Sequence, residues 1–418
     1  MKESELAWVG PIPPQWHRQP LKTLFHQHKK KNRGLVETNL LSLSYGRIVR
    51  RDINQRGGLL PESFEGYNIV SDGDIVLRLT DLQNDQKSLR TGLVREKGII
   101  TSAYITLRAN YSINTDYFQA LLESYDYKKV FYSMGGGVRQ GLNYDDISPL
   151  SLLVPPASEQ DAIADFIYYK KSEIDRLIEK LRRQVELLEQ YRRELIAHTV
   201  THGLDPDVPM RDSGIDWMPQ IPVHWIALRG KRVFRKLQRP APPYAETVTC
   251  FRDGTVTLRK NRRSEGYTES LKEIGYQGIA PGDLVIHEMD AFAGAIGVSD
   301  SAGKSTPVYA VCAIRNEGSA NFYAYLLRHM AQSKFILSLA KGIRQRTVDF
   351  RFKTLASLLI PVPPVKEQQQ IAIFLNNKSS EIDSTISNIN RQIELLGKYR
   401  KQIINDAVTG KVRVGEMA

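Results

Sequence analysis

The chain has 418 residues, 58 Lys and Arg against 46 Asp and Glu, a formal net charge of +12, and 41% hydrophobic residues. That apolar share is ample for folded cores and excludes a dominantly disordered chain, and the length fits two to four domains. Cys250 and Cys312 are too few for a disulfide framework or a thiolate metal site, which fits a reducing, cytoplasmic compartment. The opening MKESELAWVG is not a basic segment followed by an apolar run, and no stretch approaches the roughly 18 apolar residues that span a bilayer. The expected protein is therefore neither exported nor membrane-embedded. Charged residues make up 25%, so the pI of about 9.4 reflects imbalance and not a Lys-rich tail. The imbalance suggests surfaces facing a polyanion, although charge alone fits a merely basic soluble protein equally well.

In chain order, Trp8 and Trp16 bracket VGPIPPQ, and 209 residues later Trp217 and Trp225 bracket MPQIPVH, with Ile12-Pro13 answered by Ile221-Pro222. Basic clusters follow in each half. In the first they are Lys29, Lys30, Lys31 and Arg33, then Arg47, Arg50, Arg51 and Arg56; in the second, Arg259, Lys260, Arg262 and Arg263. Short β-type runs at Ile75–Leu79, Ile105–Leu107, Leu284–Ile286 and Tyr309–Ile314 lie between Gly, Asp and Asn turn signals. Gly73-Asp74 and Gly282-Asp283 each precede one of these runs. Helices are expected over Asp116–Ser133 and Asn321–Ala340. The segments GVRQ (137–140) and GIRQ (342–345) then place Arg139-Gln140 opposite Arg344-Gln345, with Arg346 beside them.

After Pro155-Pro156 and Pro363-Pro364 the pattern changes. From Pro155 to Thr201, 23 of 47 positions are identical to their counterparts 208 residues later, which chance does not produce. Apolar residues fall at Ile174, Ile178, Leu181, Val185 and Leu188, and again at Ile382, Ile386, Ile389, Ile393 and Leu396. Alternating steps of four and three make the seam of a helix that packs along another helix. Each arm of roughly 40 residues would run about 60 Å at about 1.5 Å per residue. The fold class expected is mixed α/β, with two α+β lobes and two long antiparallel coiled-coil helices in a pseudo-two-fold repeat. The expected boundaries are lobe 1 over 1–157, spacer helix 1 over 158–200, a linker over 201–216, lobe 2 over 217–364, spacer helix 2 over 365–410 and a tail over 411–418. Helices so placed would fix the separation between two surfaces.

Arg and Gln suit guanine and adenine edges in a major groove, while Lys and Arg serve phosphates. A charge run is more often a solvated face, but its paired placement in both halves favours binding. An Arg-Gln pair after glycine reads equally well as a structural turn. GKST at 303–306 ends like a phosphate loop, yet Val298 stands where that motif needs glycine, and Gly297 is one residue too far away. APPY at 241–244 resembles an amino-methyltransferase motif, but Ala241 cannot bond a target amino group. His287, in a strand-like run, reads as packed or base-facing and not as a metal ligand. No catalytic site and no metal site is expected in this chain.

The segments PPASEQDAIADFI and PPVKEQQQIAIFL, the arm ends YRRELIAHTVTHGL and YRKQIINDAVTGKV, and the linker DPDVPMRDSGIDWMPQIPVHW are similar to those of the specificity subunits of type I restriction-modification enzymes. The resemblance covers essentially the whole chain. It implies two target-recognition domains, each reading one half of a split sequence in double-stranded DNA, with the helices setting the gap. It also implies assembly with two modification subunits that bind S-adenosylmethionine and methylate adenine, docked on the helical arms. Restriction subunits would bring ATP- and Mg-dependent translocation and cleavage, and no cofactor would sit in this chain. Since the halves differ, the target would be asymmetric. The competing readings are a stand-alone DNA methyltransferase or nuclease, and a coiled-coil adaptor that does not bind DNA.

Overall fold

The computed structural model describes residues 1–53, 61, 63–82, 89–134, 141–262, 274–339 and 350–414. The first half comprises β1 (Lys2–Glu3), β2 (Pro11–Ile12), β3 (His17–Pro20), the one-turn helix α1 (Leu21–Leu24), β4 (Phe25–Gln27), β5 (Leu41–Ser44) and β6 (Arg47–Arg50). It continues through β7 (Asn68–Val70), β8 (Ile75–Leu77), β9 (Thr91–Leu93), β10 (Gly98–Ile100), β11 (Ile105–Ala109), α2 (Thr115–Tyr127), α3 (Tyr144–Ile147), β12 (Ser151–Val154) and the long helix α4 (Ala157–His202). The second half runs β13 (Met210–Ile215), β14 (Met218–Pro222), β15 (Ile226–Arg229), α5 (Gly230–Val233), β16 (Phe234–Lys236), β17 (Val248–Cys250), β18 (Val256–Leu258), β19 (Gln277–Ile279) and β20 (Leu284–His287). It ends with β21 (Ile296–Val298), β22 (Gly303–Ser305), β23 (Tyr309–Ile314), α6 (Ala320–Gln332), α7 (Phe335–Ser338), α8 (Phe352–Ser357), β24 (Leu359–Val362) and the second long helix α9 (Val365–Val408).

The two halves match strand for strand. The antiparallel sheet β4-β11-β8-β9 is answered by β16-β23-β20-β21, and the pairs β3–β12, β5–β6 and β7–β10 by β15–β24, β17–β18 and β19–β22. Central strands β8 and β20 read as continuous apolar runs because both faces are covered, and Ile75, Val76, Leu77, Leu284, Val285 and Ile286 are all buried. Asp74, in the turn before β8, accepts the Ser71 amide and two bonds of 2.7 Å from the Arg108 guanidinium. Asp283, before β20, likewise accepts the Ala280 amide, but its arginine is Arg239, from beyond β16.

The chain divides into two compact units, Met1–Arg182 with Asn390–Ala418, and Arg183–Ile389. Each therefore contains part of both long helices. In the first unit Ile404, Ala407 and Val408 of α9 enter the core around Trp16, Phe25 and Phe118. In the second, Ile196 and Val200 of α4 enter the core around Trp225, Phe234 and Phe322. Both helices end on left-handed glycines, Gly203 at φ +82° and Gly410 at φ +69°, as helix C-termini favour.

Within the first unit, Arg400 of α9 bonds Asp175 of α4. Within the second, Arg192 of α4 bonds Asp383 of α9 at 2.5 Å. Partner numbers fall along one helix as they rise along the other, so the helices are antiparallel. A shift of 208 residues turns Asp175 into Asp383 and Arg192 into Arg400, so each ion pair is the repeat of the other. On the expected seam, Ile174, Ile178, Ile382 and Ile389 are buried, and Leu181, Val185, Leu188, Ile386, Ile393 and Leu396 are partly covered. Apolar residues off the seam stay open, with Leu177 at 47% and Leu187 and Leu395 at 48% exposure.

The corner where each helix begins explains the repeated Pro-Pro and Glu-Gln. Pro156 and Pro364 offer carbonyls to the amides of Gln160 and Gln368, opening the helices. Glu159, in the first turn of α4, accepts the Trp16 indole N–H at 2.7 Å and the Gln15 amide at 2.9 Å. Glu367 accepts the Trp225 indole N–H at 3.1 Å and meets His224 Nε2 at 2.8 Å. Gln160 donates to the Pro155 carbonyl and accepts the backbone N–H of Asn114, whose own side chain caps α2. Gln368 repeats both bonds, to Pro363 and to Ser319, the cap of α6.

The structure corrects two expected helices. The span Asp116–Ser133 breaks after Tyr127, where Lys129 turns left-handed at φ +60° before a short 3-10 turn over Val130–Ser133. The span Asn321–Ala340 breaks after Gln332, at Lys334 with φ +63°, before α7. The reversal turns Phe131 and Ile336 into the cores, where both are buried.

Glu159→Ala should destabilise the first unit by about 2 kcal/mol, since it strands the buried Trp16 N–H. Chemical denaturation checks this, and an unchanged midpoint would deny the corner a structural role. Asp74→Asn should cost about 2 kcal/mol in the same assay, less than for a wholly buried pair, because Arg108 stays 35% exposed. A loss confined to a few tenths would mean that solvent replaces the bond.

Candidate nucleic-acid interface

Only the ribbon clusters, 47–51 and 259–262, sit on equivalent elements of the two units; the lysines after β4 have no matching run after β16. Lys29, Lys30 and Lys31 follow β4 and are exposed, with the Lys31 ammonium anchored on the Gly66 carbonyl at 2.9 Å. Arg47 and Arg50 lie on β6 and Arg51 just beyond it, with its amide bonded to the Leu40 carbonyl. In the second unit Arg259 and Lys260 form the turn after β18, the counterpart of β6, and Arg262 closes it. The two-stranded ribbon therefore presents the cations in both units. Arg56, Arg139, Gln140, Arg263, Arg344, Gln345 and Arg346 lie outside the described residues.

Several of these cations already hold carboxylates. Arg50 forks onto Glu96, and Arg47 bonds Asp175 on α4 at 2.8 Å. Lys260 bonds Glu246 at 2.6 Å, and Arg262 bonds Asp253 at 2.5 Å while its guanidinium lies 4.8 Å from the centre of the Phe251 ring. The Glu96 carboxyl is held below its ordinary range by its hydrogen bond to Arg50, and Asp253 is lowered by hydrogen bonds from the Thr255 amide and Arg262 against the opposing effect of burial. Arg47 and Arg50 remain 72% and 74% exposed, so these are solvent-screened surface pairs that contribute little to stability. Such pairs keep the cations extended and are readily exchanged for phosphate oxygens.

Glu96, Asp175, Glu246 and Asp253 escaped a reading of clusters along the chain, because two of them come from 46 and 128 residues away. Also unread was a cleft of about 760 Å³ in the second unit, lined by Lys236, Arg351 and Lys353 with Glu288. Lys236 lies more than 100 residues from Arg351 and Lys353, and only the fold gathers them.

The near-miss motifs resolve plainly. Gly303–Ser305 of GKST is strand β22 and not a loop before a helix. Tyr244 of APPY is wholly exposed. His287 packs edge-on against Tyr309 at 4.7 Å between ring centres and accepts the Asp290 amide at 3.2 Å, and burial lowers its pKa. Among the described residues, no group of three or more His, Cys, Asp or Glu is placed to hold a metal ion, and no helix is long and apolar enough to cross a membrane.

Residues 258–395 match the family model described as the type I restriction modification DNA specificity domain. Over 97% of its length the chain is 22% identical to a Methanocaldococcus jannaschii protein named for the type I restriction enzyme MjaX specificity subunit, of which it covers 96%. It is 24% identical over 83% of its length to the MjaVIII specificity subunit of the same organism, covering 80% of that protein. Among solved structures, it resembles a chain from work on complex assembly and conformational transition of the type I R-M system, with a TM-score of 0.63, 17% identity, and coverage of 96% of this chain and 100% of the other. It also resembles the HsdS subunit of Thermoanaerobacter tengcongensis, with a TM-score of 0.54, 15% identity, and coverage of 96% and 98%. The likeness to the named specificity subunits runs through both halves of the repeat, the family model matches part of the second half, and the solved structures share the fold.

Proposed function

We propose that this chain is the sequence-reading subunit of a type I restriction-modification complex, which brings no catalysis of its own and directs partner subunits to DNA. The observation that carries this is one scaffold bearing two surfaces. The Trp–Glu corners, the strand order and the helix ion pairs repeat residue for residue. The cationic ribbons and the arginines held at the Gly-Asp turns do not. A scaffold kept constant under two different faces suits two different half-sites.

In this reading Lys29, Lys30, Lys31, Arg47, Arg50, Arg51, Lys260 and Arg262 neutralise phosphates, exchanging carboxylates for them on docking. Counterion release then makes binding salt-dependent. Arg56, Arg139, Gln140, Arg259, Arg263, Arg344, Gln345 and Arg346 complete the proposed DNA-contacting set. Two modification subunits would dock on the exposed faces of α4 and α9, carrying S-adenosylmethionine, and restriction subunits would carry ATP and Mg, all in the cytoplasm. Because α4 and α9 are unbroken, helix length would set the gap between half-sites.

Sequencing of modified adenines, with and without this gene, should reveal an asymmetric bipartite motif that depends on it. A palindromic dependent motif would overturn the two-surface reading. Matched seven-residue deletions in α4 and α9 shorten each helix by about 10 Å, or about three base pairs of duplex. The gap should shrink accordingly while both half-sites persist; unchanged spacing would rule out the helices as the ruler.

A further inference from the structure

The helix-facing side of α2 and that of α6 carry opposite charge at one repeated position. In the first unit Glu123 of α2 is 3% exposed and fully engaged. It accepts Lys171 of α4 at 3.1 Å, Gln119 at 3.2 Å and the Tyr127 hydroxyl, which ties α2 to the long helix. Counting from the caps Asn114 and Ser319, the counterpart of Glu123 is Arg328, and 208 residues after Lys171 stands Ser379. The ion pair that ties α2 to α4 in the first unit is thus replaced by Arg328 and Ser379, which both line one cavity.

A cavity of about 700 Å³ lies there in the second unit. Arg192, Arg193, Arg252 and Arg328 line it, with Asp253 and Asp383. Four guanidinium groups against two carboxylates leave a formal excess of two positive charges. Asp383 is engaged by Arg192, Asp253 by Arg262 and Arg252 by Asp290; Arg262 and Asp290 lie outside the lining and cancel, so the excess falls on Arg193 and Arg328. Arg328 makes no ion pair among the described residues. It is held in place by a bond from Nη1 to the Asp253 carbonyl at 2.9 Å and by the Tyr325 ring, 4.8 Å away. The adjoining loop is shaped around it: a Cβ on Gly254, at φ +87°, would lie 2.0 Å from that Nη1. Burial lowers the Arg328 pKa, consistent with a cation short of compensation.

We infer that this cavity is a binding site for a phosphate dianion, clamped by Arg193 and Arg328. The forked donors of arginine match phosphate oxygens, and an excess of two charges matches a dianion better than one carboxylate. The dianion comes from a free phosphate compound; the alternative source, a DNA backbone phosphodiester, carries one negative charge but offers the same kind of acceptor oxygens, and the test distinguishes the two.

The test is titration of inorganic pyrophosphate into the purified full chain, followed by calorimetry, with DNA binding measured across a salt series. Wild type should bind pyrophosphate saturably, and Arg193→Ala, on the helix surface, should weaken it at least tenfold. The double variant Arg328→Glu with Ser379→Lys rebuilds the pair of the first unit, so it should fold with an unchanged circular dichroism spectrum and abolish binding. If the source is the DNA backbone, the double variant also lowers the salt slope of DNA binding by about one or more. If the source is a free phosphate compound, that slope is unchanged while pyrophosphate binding is lost. Absence of saturable pyrophosphate binding by wild type, or equal binding by the folded double variant, overturns the site. The pyrophosphate arm is independent of the DNA-reading assignment, so the two can fail separately.

Discussion

Two carboxylates hold the architecture together. Glu159 and Glu367 each stand in the first turn of a long helix, where the helix dipole favours negative charge, and each receives the indole N–H of a buried tryptophan. The next residue, Gln160 or Gln368, ties the preceding proline carbonyl to the cap of α2 or α6. Six residues of sequence therefore fasten the opening ribbon, the last strand, the capped helix and the long helix at one point. Any change there leaves a buried donor unpaired, whereas a change on the far ribbons costs little. That difference in cost lets one framework carry two surfaces.

The same division runs through the electrostatics. Asp74 and Asp283 close the same turn in the same way, yet recruit arginines from different places, Arg108 on β11 and Arg239 beyond β16. Asp175 and Asp383 exchange partners with Arg400 and Arg192 as the repeat demands. Glu123 with Lys171 has no such echo, because Arg328 and Ser379 stand at those places. The pairs that hold α4 to α9 are duplicated, whereas those of Glu123 and of the Gly-Asp turns are not.

Much of the scaffold was legible in the chain. The heptad spacing of Ile174, Ile178 and Leu181 and the Pro-Pro-x-x-Glu-Gln repeat state their constraints locally, through helix period and capping geometry. The breaks at Lys129 and Lys334 were not legible, because a left-handed lysine carries no signature and only the burial of Phe131 and Ile336 requires the turn. The candidate interface was half legible. Arg47, Arg50, Lys260 and Arg262 cluster in sequence, but the acids that hold them do not.

By itself, then, the sequence determined that the chain is a duplication, that each copy ends in a long amphipathic helix, and that the paired tryptophans and the Pro-Pro-x-x-Glu-Gln segment recur. These follow from short-range periodicity and from bonds whose cost of loss preserves identical residues. Only the tertiary structure decided which cations are paired, that each core is completed by the far end of the other copy's helix, and that a cavity lies beside Arg328 where Glu123 binds Lys171 in the other unit. Those outcomes depend on distances between residues that are remote along the chain, and Coulomb attraction and packing act through space, not through sequence order.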